Sequence, residues 1–136
     1  MIDFEHSKLF TPWTHPTTGV TIYLLTRKVA PLQEAFYFVN ESMTCDGRYL
    51  WFYCAHPPSG SAGQGRMLGV VDFEKDEVHA FPETAFHSAS PYIDPDDGTA
   101  YWGVGRWLWR RGPQPDAAAE MVNALPEDLV KGRTVS

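Results

Sequence analysis

Apolar and polar positions alternate along this chain in short runs, closed off by turn residues every few positions. Gly19-Val20-Thr21-Ile22-Tyr23-Leu24-Leu25-Thr26 is β-branched and aliphatic and follows the turn-like Pro16-Thr17-Thr18. Ala35-Phe36-Tyr37-Phe38-Val39 and Tyr49-Leu50-Trp51-Phe52-Tyr53-Cys54-Ala55 are rich in aromatics. Between them Asp46-Gly47 supplies the positive φ that a tight hairpin turn needs. Residues 67–73 and 77–81 flank a polar turn at Glu74-Lys75-Asp76. Short β-branched and aromatic runs bounded by such turns predict strands. The four runs between 35 and 81 read as an up-and-down meander. The run 49–55 is apolar or aromatic on both faces, so it has to be covered on two sides, as when one sheet stacks on another.

The pattern then recurs. Tyr92-Ile93 leads to a second turn at Asp96-Asp97-Gly98, followed by Thr99-Ala100-Tyr101-Trp102-Gly103, Trp107-Leu108-Trp109-Arg110 and Glu120-Met121-Val122-Asn123-Ala124. Asp46 and Asp97 lie 51 residues apart, slightly more than the roughly 40–45 of a typical propeller blade. A Ser/Gly/Pro-rich loop over 57–65, present only in the first repeat, accounts for the excess. Ala117-Ala118-Ala119 has helical propensity, but a turn followed by a strand fits the repeat better. Units of this size cannot bury their faces alone and stack on one another. The expectation is an all-β fold: about two four-stranded blades of a β-propeller within a single unit, 1–136. Residues 18–26 form a lone leading strand, 35–83 the first blade, 89–125 the second, and 126–136 the start of a next unit. Two blades do not close a ring, and the leading strand is expected to complete the last blade of a larger circle.

Composition narrows the function classes. A hydrophobic fraction of 43% with 21% charged residues is that of a globular chain rather than a disordered one. The net charge of −6 argues against a nucleic-acid partner, which would need a phosphate-tracking basic surface. It also opposes a polyanionic sugar unless basic residues cluster locally. No apolar run is long enough to span a membrane. Met1-Ile2-Asp3-Phe4-Glu5-His6 lacks the basic and apolar regions of a signal peptide. Cys45 and Cys54 have no metal spacing and read as free thiols, in keeping with a cytoplasmic address. His6, His15, His56, His79 and His87 show no pairing with a second ligand type at metal-binding spacing, so no metal site is expected within this chain.

One family comes into view through order and spacing. Residues 18–26, Phe36-Tyr37-Phe38, Thr44-Cys45-Asp46-Gly47-Arg48-Tyr49-Leu50-Trp51-Phe52 and Leu68-Gly69-Val70-Val71-Asp72-Phe73 resemble the N-terminal blades of oligogalacturonate lyases. Ile93-Asp94-Pro95-Asp96-Asp97-Gly98, Arg106-Trp107-Leu108-Trp109 and residues 122–129 continue the likeness. The resemblance implies a seven-bladed propeller in the complete protein. It further implies cleavage of short galacturonate oligomers by β-elimination, with a divalent metal, manganese by family resemblance. Metal ligands, basic group and base would come from later blades, so no catalytic residue is assigned here and the fragment itself is expected to be inactive. The alternative is a non-catalytic TolB- or WD40-like propeller serving as a binding or scaffold module. A third reading has several short chains assembling into a ring.

Propeller geometry selects candidate substrate contacts. Loops joining the outer strand of one blade to the inner strand of the next gather on one face, together with loops between second and third strands. That places Gln33, Glu34, His87, Ser88 and Arg106 toward an oligogalacturonide. Trp51, Trp102, Trp107 and Trp109 fall within strands and read as blade-to-blade packing rather than as a sugar platform. Arg110 and Arg111 could attract a uronate, or simply mark an exposed strand end.

Overall fold

Backbone pairing in the computed structural model, which describes residues 2–55, 65–87 and 90–133, gathers ten strands into three antiparallel sheets. β1 (Phe10–Thr14) and β2 (Thr21–Leu25) form a hairpin. β3 (Gln33–Glu34), β4 (Tyr49–Ala55), β5 (Arg66–Asp72) and β6 (Glu77–Phe86) form a four-stranded meander in sequence order. β7 (Tyr92–Ile93), β8 (Ala100–Val104), β9 (Trp107–Arg111) and β10 (Glu120–Ala124) repeat that order in a second meander. One helical turn, α1 (Glu127–Val130), follows Pro126. The fold is all-β and none of the three sheets closes on itself. No helix among the described residues is long and apolar enough to cross a membrane.

The expected turns form as the chemistry requires: Gly47 and Gly98 take φ of +73° and +77°, values that a side chain would strain. Two expectations fail. The segment 18–26 is not a lone strand, because β2 pairs over its whole length with β1. Pro12 had obscured β1. Opposite Tyr23, on a strand with no second neighbour, it removes no needed ladder bond. The run 35–39 is not the inner strand of the first meander either. Glu34 pairs with Tyr53, and the ladder resumes only where Met43 bridges Leu50 and Trp51 N–H donates to Ser42 O at 2.7 Å. Between these points the chain leaves the sheet as a loop.

The two faces of β4 are both covered, as its pattern demanded. Trp51 and Tyr53 point toward the second meander and pack with Leu68, Val70, Phe81 and Trp102. Phe52 and Cys54 point the other way, with Met67, Val71 and Leu9, and the hairpin residues Phe10 and Leu25 close over them. Full burial of each such side chain stabilises by about 1.5–3 kcal/mol. The indole N–H of Trp51 donates to Gly98 O at 2.9 Å, and Cys45 N–H donates to Pro95 O at 2.8 Å. The two Asp-Gly turns therefore meet at one end of the stack. β4 and β8 both run away from that end, so Ala55 and Val104 finish at the opposite one. Arg111 of β9 ties the sheets from within: it is 2% exposed, donates to Glu83 of β6 and to Gly112 O and Gln114 O, and lies 3.4 Å from the centre of the Phe81 ring.

Candidate functional site

The end opposite the Asp-Gly turns carries the polar chemistry. Cross-strand register builds it: Glu34 lies opposite Tyr53, and Arg66 lies opposite both Ala55 and Phe86. Residues 53 and 55 share a face of the pleated strand, so Arg66 falls on the Tyr53 side, with its guanidinium carbon 5.1 Å from the ring centre. The loop after Glu34 brings Phe36 against the same ring at 4.5 Å, and Ser90 arrives on the connection to the second meander. Together they bound a cavity of about 330 Å³ at the end of the seam between the sheets. Beyond Phe36 the loop displays Tyr37 and Phe38, 60% and 83% exposed, as a ring pair 4.4 Å apart on the cavity's rim.

The cavity is rich in hydrogen-bond donors. Burial pushes the Tyr53 phenol above its ordinary value, while the Arg66 charge and hydrogen bonding with Ser90 and Asn40 draw it the other way. Arg66 Nε is closed off from solvent and has no hydrogen-bond partner among the described residues. A buried donor left unpaired costs about 1–3 kcal/mol. Glu34 contributes the carboxylate on the cavity wall.

The candidates from the sequence fare differently. Glu34 lines this cavity. Gln33 is turned to local use, its Oε1 accepting from Val29 N–H at 2.6 Å and its Nε2 donating to Arg27 O at 3.4 Å. His87 is exposed just past β6, and Ser88 lies outside the described residues. Arg106 occupies the β8–β9 turn at the same end of the second meander, 4.7 Å from the Trp107 ring centre. Its Nη1 is 3.1 Å from Glu127 Oε1, off hydrogen-bond alignment, and it faces a separate cavity of about 310 Å³ with Trp107, Leu108 and Asn123. Sequence reasoning missed Arg66, Asn40 and Tyr53. The available signal was position, since Arg66 opens the third strand of its repeat as Trp107 opens that of the next.

The remaining candidates are absorbed by structure. Trp51 and Trp102 are buried between the sheets and Trp109 packs against the same core, whereas Trp107 is 40% exposed under Arg106. Arg110 pairs with Glu120 at 3.1 Å, and Arg111 is the internal tie. Both cysteines are free, and burial pushes the Cys54 thiol up to about 12. His6 sits 2.8 Å from Asp3, His15 Nδ1 accepts from Thr17 and Thr18 N–H, and His79 lies 3.1 Å from Glu77; His56 is outside the described residues. No group of three metal-ligating side chains forms among the described residues. Searches of protein-family models, curated proteins and solved structures found no match to this chain.

Proposed function

We propose that this chain supplies two blades of a β-propeller that handles short galacturonate oligomers, within a lyase of the β-elimination type. The observation that carries the reading is the repeat itself. Two meanders of identical strand order stack face to face, with equivalent Asp-Gly turns at one end. Stacked units of this kind, each needing a neighbour, are the working parts of a propeller. The residues present suit recognition: Arg66, Tyr53 and Ser90 line one cavity in a chain otherwise acidic. Elimination needs stabilisation of the charge that develops on the uronate carboxylate, and a base for the proton α to it. No such step is assigned to the described side chains, which hold no metal donor set. Calorimetric titration of the purified chain with digalacturonate and with its neutral digalactose counterpart tests the reading. Saturable binding of the acid alone is expected. Equal affinity for the two sugars, or none for either, would sink it.

A further inference from the structure

We infer that residues 34–43 are a strap with two registers on β4, one displaying Tyr37 beside Phe38 and the other drawing Tyr37 in against Leu50. The inference goes beyond the sugar reading and does not depend on it. In the structure Glu34 pairs with Tyr53, the chain leaves the ladder, and Met43 returns opposite Leu50. Continued without a break, the Gln33–Cys54 and Glu34–Tyr53 pairing sets Phe36 opposite Trp51 and Tyr37 opposite Leu50. Leu50 thus faces Met43 in place of Tyr37, six residues out of step. An even step keeps every side chain on its own face of the sheet. Phe36 already shares the core on the Trp51 side, and Leu50 packs on the hairpin side.

The backbone bond of Trp51 survives the exchange. Its N–H donates to Ser42 O at 2.7 Å, and Thr44 N–H donates to Tyr49 O at 3.1 Å, which makes Met43–Leu50 a non-hydrogen-bonded pair. In the continued register Phe36 O accepts from Trp51 in place of Ser42 O, and Tyr37–Leu50 is again a non-hydrogen-bonded pair. The ring has somewhere to go: a cavity of about 370 Å³ lies between β2 and β4, walled by Leu24, Leu25, Leu50 and Phe52. Tyr37, 60% exposed, gains burial there, while the half-buried Met43 gives up its place. Phe38 and Val39, 83% and 68% exposed, form the loop in either register. The paired rings of Tyr37 and Phe38, 4.4 Å apart, are therefore a contact surface that only one register presents.

Paired cysteines read the register directly, because a non-hydrogen-bonded antiparallel pair, with Cα atoms about 4.5 Å apart, fits disulfide geometry. In the full chain carrying Cys45→Ser, Leu50→Cys is combined with Met43→Cys, Tyr37→Cys or Phe38→Cys. Disulfide formation in a glutathione buffer is followed by mass spectrometry, on variants whose urea midpoints show them folded when reduced. The Met43 and Tyr37 pairs are both expected to close. The Tyr37 pair should close at least ten times faster than the Phe38 pair, which the continued register turns to the opposite face. Equal rates for Tyr37 and Phe38 would mean a loop that moves without a register. A Tyr37 pair that stays open while the Met43 pair closes would mean a single register. Either result overturns the strap. Adding Met43→Asp, which sets a charge at the seat facing Leu50, is expected to speed closure of the Tyr37 pair several-fold. An unchanged rate would show that the two residues do not compete for that seat, and would overturn the exchange.

Discussion

Gly69 is a residue whose identity is set by its neighbour across the ladder. It lies opposite Phe52, and a Cβ there would come within 2.6 Å and 2.7 Å of two ring carbons and 2.9 Å of Cys54 Sγ. Phe52 is 4% exposed and cannot swing into solvent without emptying part of the hairpin-side core. Gly69→Ala should therefore destabilise by about 1–3 kcal/mol, the usual cost of forcing extra volume into a packed core. Urea denaturation would show this as a lower midpoint at unchanged slope; an unchanged midpoint would mean the ring has room to move. The same ladder explains why Arg66 was hard to foresee. In sequence it is one charge after a loop, and only its register with Ala55 sets it on the Tyr53 face.

At the scale of elements, the turns are held by carboxylates. Asp46 accepts from the Thr44 hydroxyl and Arg48 N–H, Asp97 from Thr99 N–H, and Asp76 from the Ser7 hydroxyl and Lys8 N–H. These hydrogen bonds hold all three below the ordinary 3.8. A carboxyl with a depressed folded-state pKa stabilises fully above its unfolded value and loses that contribution as pH falls through the folded one. Thermal midpoints should thus stay level down to about pH 5 and decline below the ordinary Asp range, less steeply in Asp76→Asn, which has no such carboxylate to protonate. A midpoint indifferent to acid would contradict the assignment. The turns and β4 were legible because Asp-Gly and two-sided hydrophobicity each have one physical meaning. Residues 35–39 were not, because an aromatic run looks the same packed in a sheet or displayed on a loop. The competition was decided by Ser42 and Met43, which take the partners nearest the turn. The hairpin was half legible: β2 stands out in the pattern, whereas β1 with its proline and mostly exposed side chains does not.

Over the whole molecule, the contact between the meanders is mostly apolar, with one ionic tie among the described residues. Arg111 and Glu83 are unequal partners, since the Arg111 side chain is 1% exposed and that of Glu83 46%. Removing the carboxylate strands a buried cation, whereas removing the cation frees a carboxylate already half in water. Glu83→Gln should accordingly cost about 1–3 kcal/mol, and Arg111→Met, which keeps contact with Phe81, less. Measured by chemical denaturation, the reverse order would show that the carbonyls of Gly112 and Gln114 hold the guanidinium alone. The coverage of β4 and β5 on both faces has a consequence in time as well as in energy. Their amides open only when hairpin and second meander have both come away, so in deuterated solvent they should exchange last, at the rate of global unfolding. The amides of β1 and β10, on outer sheets with one face in water, should exchange by local opening long before.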